Sequence, residues 1–278
     1  MTWRATILLL CALFAGPAMA EDNSGLDRLD TREDLRGWEA VGRIDIAGGG
    51  FCTGALIAPD LVLTAAHCVI DPDGAPVDAA RLTFRAGLAD GVALAEVPVA
   101  RTVTPAGYVG TGSSRPSHLG LDAALLQLAS PIASSLAAPF TVALPGTGDA
   151  VSVVSYAAGR EEALSWQRLC RVLGRKDGLI AVDCDVTYGS SGAPVLDRSG
   201  YRARIVSIIS GGYQEDGQSV AFGMELPDVV EGLKARLRAG KVASEVAPTQ
   251  PGVRRITVGG GGGGGGEGNT TGARFIRP

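Results

Sequence analysis

The chain has 278 residues, with 25 basic and 29 acidic side chains and a formal net charge of −4 at pH 7. Without a strong basic patch it does not match a nucleic-acid-binding protein, so we expect no nucleic-acid partner. Beyond the first twenty residues, no stretch approaches the roughly 18 apolar residues of a membrane-spanning helix, so we expect no stable membrane anchor.

Residues 1–20 have the pattern of an export signal. Arg4 supplies a positive charge, Ile7–Ala15 form a short apolar core, and Ala18–Ala20 provide a small-residue cleavage site. The sequence therefore predicts a protein that is secreted or periplasmic after the signal is removed. Residues 21–33 are polar and charged, and they predict a flexible N-terminal extension or pro-segment.

Residues 34–240 are expected to form the folded domain. Up to about residue 225, short apolar runs alternate with Gly, Pro, Asp and Ser, a pattern that predicts an all-β sandwich or barrel. The length suffices for two small barrels that share a cleft. The clearest apolar runs are Ala40–Ile46, Gly54–Ala58, Leu61–Ala65, Arg81–Ala86, Ala123–Leu128, Val151–Tyr156, Leu179–Asp183 and Arg204–Ile209.

A helix is predicted near the end of this domain. Pro227 stands near its start, apolar residues recur at helical spacing up to Leu237, and Gly240 marks its end. Residues 241–278 lack any such period and contain an unbroken glycine run, so they predict a flexible Gly-rich tail.

Four cysteines remain after the signal, an even number that predicts two disulfides in an oxidising compartment. Four cysteines allow three pairings. The local ones join Cys52 to Cys68 and Cys170 to Cys184, each closing a loop of roughly 15 residues. Metal binding is the competing interpretation, but the sequence has neither Cys-x-x-Cys spacing nor a second usable histidine. We therefore expect disulfides and no metal.

Three short segments carry the chemistry, in a fixed order. A histidine lies in Thr64–Cys68, an aspartate opens the apolar run Asp122–Leu128, and a serine lies in Gly189–Pro194. A serine hydroxyl is a poor nucleophile unless a base takes its proton, and histidine suits that task near neutral pH. A carboxylate then holds the imidazole tautomer and stabilises the imidazolium. The order excludes an α/β-hydrolase, whose histidine comes last, because no histidine follows Ser191.

The segment Phe51–Cys68 closely resembles the histidine region of trypsin-like serine proteases. Cys184–Pro194 resembles the serine region of the bacterial secreted branch related to glutamyl endopeptidases. The resemblance covers residues 34 to about 226. It implies an all-β fold of two six-stranded antiparallel β-barrels with a C-terminal helix, and a catalytic cleft where the barrels meet.

Carried over residue by residue, the resemblance implies that Ser191 is the nucleophile and His67 the general base and then acid. Asp122 would be the carboxylate that orients the histidine. The backbone N–H groups of Gly189 and Ser191 would form the oxyanion hole. His118 is expected in an exposed loop near the rim of the first barrel.

The chain departs from the digestive members of the family at Ser190. Those members carry an aspartate there, which pairs with a new N-terminal ammonium after activation. Because Ser190 has no charge to form that pair, we expect activation without a buried N-terminal ion pair.

The resemblance also implies a primary specificity pocket beside the nucleophile. Asp185 lies six residues before Ser191, where trypsin-type members have the carboxylate that binds Lys or Arg. The different position of Cys184 favours a structural role for this aspartate over selection of basic residues. Ile209 stands where glutamyl-specific relatives often have histidine, so acidic preference also has little support. The pocket residues implied are Asp185, Thr187, Ser210, Gly211 and Gly212.

Together these features predict an exported serine endopeptidase that hydrolyses peptide bonds through an acyl-enzyme. We expect it to act as a monomer on protein or peptide substrates without a cofactor. The alternative is a non-catalytic protease homologue that binds a partner through its cleft or tail. Such proteins usually lose one residue of the triad, and all three are present here.

Overall fold

The fold is built mainly from short β-strands, with a helix near its end. The computed structural model describes residues 25–110, 119–146, 148–215 and 218–246. Within these ranges the strands form two sheets, the first mainly from the N-terminal half of the domain and the second mainly from the C-terminal half. The expected all-β architecture of two barrels followed by a helix is confirmed.

The first sheet closes into a barrel of six antiparallel strands. The first strand of the described chain is β1 (Leu26–Leu29), which pairs with the second sheet. The six barrel strands are β2 (Val41–Ile46), β3 (Phe51–Ala58), β4 (Leu61–Thr64), β5 (Leu82–Ala86), β6 (Ala95–Val103) and β7 (Ala124–Leu128). Around the barrel the order is β6-β5-β2-β3-β4-β7, and β7 pairs back with β6. Along β5, Leu82, Phe84 and Ala86 are buried while the residues between them are partly exposed. This alternation places one face of each strand in the core.

The second sheet has a barrel-like arrangement. Its strands are β8 (Thr141–Val142), β9 (Ala150–Ala157), β10 (Arg160–Lys176), β11 (Leu179–Val182), β12 (Pro194–Asp197), β13 (Arg204–Ile208), β14 (Gly211–Glu215) and β15 (Gln218–Met224). They pair in the order β14-β15-β11-β10-β9-β12-β13-β8, and only the short contact of β8 with β13 is parallel among these described pairs. Just after β13, the Ser210 N–H donates to the Phe222 carbonyl at 2.8 Å. That bond draws β13 towards β15 and curls the sheet around its own apolar cluster.

The predicted helix is α1 (Pro227–Arg238), which packs on the first barrel. Val230, Leu233 and Leu237 form its buried stripe. Arg236 donates from Nε to the Thr104 carbonyl at 2.8 Å and ties the end of the helix to the barrel. After the helix, β16 (Ser244–Glu245) pairs with β6.

The N-terminal segment differs from its expectation as a flexible extension. Leu26–Leu29 form β1, which pairs antiparallel with the 164–167 stretch of β10. The long β10 strand offers unpaired backbone groups at this edge, and an added strand satisfies them. Leu29 is buried, and Arg28 forms an ion pair with Asp90. Polar composition alone did not reveal this pairing, because the partner strand lies far along the chain.

Two disulfides brace the two sheets. Cys52 is bonded to Cys68 with a Cα–Cα distance of 6.2 Å, and Cys170 to Cys184 with 5.3 Å. The first joins β3 to the turn that follows β4, and the second joins β10 to the segment after β11. In the part of the chain that the structure describes, no helix has the length and apolar character needed to cross a membrane.

Candidate active site

His67 and Asp122 are brought together by the pairing of two strands in the first barrel. β4 and β7 are antiparallel, with Thr64 opposite Ala124. His67 lies in a short 3-10 turn just after β4, and Asp122 lies just before β7, so the register places both at one end of the barrel. His67 Nδ1 lies 2.7 Å from Asp122 Oδ2, and the His67 backbone N–H donates to Asp122 Oδ1 at 2.9 Å. The carboxylate therefore holds both the ring and the backbone of the histidine.

The environment of Asp122 favours its ionised form. Burial raises the pKa of the Asp122 carboxyl, but the hydrogen bonds and charge of His67 and the hydroxyl of Ser210 lower it below its ordinary value. Ser210 donates from Oγ to Oδ2, the same oxygen that faces the ring. A buried carboxylate supplied with donors in this way can stabilise an imidazolium when the ring accepts a proton.

Tyr108 is a further neighbour of this carboxylate. It lines the same cleft as His67 and Asp122. Burial, together with the negative charge and hydrogen bonding of Asp122, raises the pKa of the Tyr108 phenol. The phenol therefore stays neutral and can act as a hydrogen-bond donor beside the charge.

The serine loop of the second barrel, Gly189–Pro194, lies directly against the first barrel. Gly192 has φ +76°, and a Cβ at this position would lie 2.1 Å from Thr64 Oγ1 and 2.3 Å from the Thr53 carbonyl oxygen. Only glycine combines this backbone conformation with so close an approach. The Thr53 N–H also donates to the Ser191 carbonyl at 2.9 Å. These contacts bring Ser191 to the strands that carry His67.

His67, Asp122 and Ser191 line one cleft of about 900 Å³. Gly189, at the edge of this cleft, has φ +91°, and a Cβ there would lie 2.3 Å from the Phe51 ring. A side chain at 189 would have to displace that ring, so glycine keeps the backbone of this segment open to the cleft.

Ser190 is fully buried among neutral partners. Its hydroxyl donates to Ser155 Oγ at 3.3 Å, and the Thr187 N–H approaches its Oγ at 3.4 Å. The Ser190 N–H donates to the Thr187 carbonyl at 2.9 Å. The loop is thus held by hydroxyl and backbone groups at Ser190, where the digestive members of the family have a charged aspartate.

Four of the five implied pocket residues line the cleft, namely Thr187, Ser210, Gly211 and Gly212. Asp185 does not line it in the described part of the chain. Its carboxylate accepts a hydrogen bond from Ser219 Oγ at 2.5 Å, and its backbone N–H donates to Gln167 Oε1 at 2.8 Å. His118 lies outside the described residues, so its predicted position is not assessed.

Thr53 is a positioning residue that sequence reasoning missed. Its side chain is completely buried where the barrels meet, and Oγ1 donates to the Gly189 carbonyl at 2.9 Å. The same oxygen accepts from the Tyr156 N–H at 3.0 Å. A threonine that connects β9 to the serine loop looks, in sequence, like any strand residue. Its position inside the Phe51–Cys68 segment was the only signal available.

One group of side chains has the composition of a metal site. Side-chain ligand atoms of Cys52, His67 and Cys68 lie within 4.8 Å of one another. Both sulfurs are bonded to each other, however, and a metal requires free thiolates. The disulfide therefore leaves the histidine as the single available ligand of this group.

Comparison with known proteins agrees with this geometry. Residues 52–202 match the family model described as a trypsin-like peptidase domain. A solved Glu endopeptidase has a TM-score of 0.61 at 21% identity, covering 77% of this chain and 97% of its own. A thermostable serine protease from an extremophilic microorganism has a TM-score of 0.57 at 19% identity, covering 71% and 96%.

No curated protein sequence matches the chain. At these identities the two solved structures show only that the fold is similar. The family model shows to which family the chain belongs. The match spans more than half of the sequence and contains His67, Asp122 and Ser191. The chain belongs to the trypsin-like peptidase family.

Proposed function

We propose that the protein is an exported serine endopeptidase that cleaves peptide bonds through an acyl-enzyme. The proposal rests on the contact of His67 Nδ1 with Asp122 Oδ2 at 2.7 Å, on the same cleft that Ser191 lines. A carboxylate bound to Nδ1 leaves Nε2 as the nitrogen that can accept a proton. That is the arrangement a general base for a serine hydroxyl requires.

The reaction begins when Ser191 Oγ attacks the substrate carbonyl and its proton passes to His67 Nε2. The bond from Oγ to carbon forms, and the carbonyl oxygen becomes an oxyanion that the N–H groups of Gly189 and Ser191 stabilise. The imidazolium, held by Asp122, then protonates the departing amine, and the peptide bond breaks. A water molecule, activated by the same imidazole, hydrolyses the ester and restores the serine.

Each of these residues has a defined part in the proposal. Asp122 stays ionised through the cycle, since its donors favour the charged form. Ser210 donates to Asp122 Oδ2, the carboxylate oxygen that also faces the ring. The left-handed backbone at Gly189 supports an oxyanion hole at this edge of the cleft.

A fluorophosphonate that reacts with activated serines tests the function. The mature protein should be labelled, while Ser191→Ala and His67→Ala should not. Casein or a mixed peptide library should be cut by the wild type alone. A folded wild-type protein that resists labelling and cuts no peptide would instead be a non-catalytic homologue.

Export is tested separately. Expression of the full chain in a bacterial host should yield a periplasmic or secreted protein whose first residue is Glu21, as N-terminal sequencing can determine. Retention of residues 1–20 in the folded product would contradict the proposed signal.

A further inference from the structure

The N-terminal strand β1 is held by both halves of the domain. Its backbone pairs with β10 of the second sheet, and the Leu29 side chain is buried in the main apolar cluster of the domain. Asp27 forms an ion pair with Arg168, and Arg28 forms one with Asp90. Since these four charged side chains are about half exposed, backbone pairing and the burial of Leu29 account for most of the binding.

Gln167 is the residue of β10 that lies opposite the start of β1. Its backbone is paired on both sides, with Leu26 of β1 and with Val153 of β9. The Gln167 side chain is completely buried, and its Oε1 accepts a hydrogen bond from the Asp185 N–H at 2.8 Å. Because water cannot readily replace a partner inside the protein, this bond fixes the backbone of Asp185.

The segment that follows Asp185 forms one wall of the cleft. Residues 186–188 line the cleft and lead directly into the serine loop. At the other end the wall is anchored by Asp185, whose N–H is bound to Gln167 and whose carboxylate accepts from Ser219 Oγ at 2.5 Å. The wall depends on such contacts, because Ser190 supplies no charge that could hold the serine loop through an ion pair.

Loss of β1 would act on this wall through β10. Residues 165–167 of β10 are paired with β9 on one side and with β1 on the other. An open edge leaves backbone groups without partners, and the strand then frays more easily. Gln167 would move with its strand, and the Asp185 N–H would lose its fixed acceptor. A shift of about 1 Å in a group that positions the substrate can lower the rate about 100-fold.

We propose that Gln167 is a positioning residue for this wall of the cleft, and that β1 must be docked on β10 to keep it in place. The N-terminal strand is then a working part of the mature enzyme, in contrast to a pro-segment that is removed on activation. This inference rests on the proposed peptidase function and adds a structural requirement for it.

Two substitutions in the full mature chain test the two steps. Leu29→Asp places a charge at the buried anchor of β1 and should release the strand. Gln167→Met keeps the length of the side chain but removes the acceptor oxygen. For each variant we expect kcat/KM per active site to fall at least about tenfold, with the active sites counted by fluorophosphonate labelling. The matched controls are Leu136→Asp and Leu173→Met, at positions 41% and 51% exposed, and both should equal the wild type.

The count of labelled sites distinguishes positioning from a purely structural role. Destabilisation alone would reduce the number of sites that react and leave kcat/KM per labelled site unchanged, and that result would overturn the inference.

The double variant, with Leu29→Asp and Gln167→Met together, tests whether β1 acts through this glutamine. Since both changes disturb the same contact, the double variant should lose no more than about twofold beyond the more impaired single variant. Losses that multiply would show that β1 acts by another route and would contradict the proposal.

Labelling of the wild type separates the two levels of failure. A folded wild type that is neither labelled nor active loses the proposed function itself. A labelled wild type whose two single variants match it per site retains that function and loses this inference. If Leu29→Asp does not fold, Leu29→Ala takes its place in the double variant, and a Gln167→Met protein with the wild-type kcat/KM per site still overturns the proposal.

Discussion

Replacement of Thr53 by valine should lower both the stability of the contact between the barrels and the rate of catalysis. Valine has nearly the shape of threonine but lacks the hydroxyl. It would leave the Tyr156 N–H and the Gly189 carbonyl without their present partner at 3.0 and 2.9 Å. An unsatisfied buried group costs about 1–3 kcal/mol, and Gly189 is near enough to solvent to recover part of that. We therefore expect the free energy of unfolding to fall by about 2–4 kcal/mol.

The same change should reduce kcat more than it alters KM. Thr53 anchors Gly189, whose N–H is proposed to stabilise the oxyanion. Complete loss of one such donor costs about 2.7–4 kcal/mol, so a loosened donor should cost about 1.4 kcal/mol, or tenfold in kcat. Peptide hydrolysis under saturating conditions measures this loss.

Thr53→Ser is the matched control, since it keeps the hydroxyl and removes one methyl group. It should lose about 1 kcal/mol of stability and retain kcat. Urea unfolding is best measured in a Ser191→Ala background, where self-digestion cannot distort the transition. If the valine variant is as stable as the serine variant and equally active, the hydroxyl does not position the loop as we infer.

Three further outcomes are expected. In urea unfolding, Gly192→Ala should destabilise the protein by about 2–5 kcal/mol, because the backbone there is left-handed and the added Cβ would make contacts shorter than 2.5 Å. The control Gly232→Ala lies in open space on the helix and should stabilise the protein slightly. Equal effects of the two substitutions would contradict the close approach of the barrels. Folding lowers the pKa of Asp122, so the stability that this carboxylate contributes is present above pH 4 and is lost as the pH falls through the lowered value. Asp122→Asn should therefore weaken the pH dependence of the free energy of unfolding below pH 4. An unchanged slope would refute this. Asp185→Asn should leave the ratio of Lys to Ala peptide cleavage unchanged, and a fall in that ratio would show that this carboxylate reads the substrate.

The strands and the helix could be predicted because they depend on local patterns. The stripe of Val230, Leu233 and Leu237 appears at helical spacing in the sequence and is buried in α1. The juxtaposition of His67 with Asp122 followed from motif order, and the β4–β7 register gives its physical cause.

Other features depend on contacts between distant segments, and the sequence alone could not supply them. Thr53 is ordinary until β9 and the serine loop are placed around it. The separation of Asp185 from the cleft depends on Ser219, whose hydroxyl donates to the Asp185 carboxylate. None of these pairs shares a local pattern that would have marked it in advance.

The pairing of β1 with β10 has a consequence for the order in which the molecule assembles. Leu26–Leu29 are synthesised early, but their partners follow about 140 residues later, so this contact closes one of the longest loops in the domain. Contacts of such long range form after local hairpins have reduced the search. Until then the early segment remains without its backbone partners, and any protease that meets the nascent molecule can reach it more readily than the finished fold.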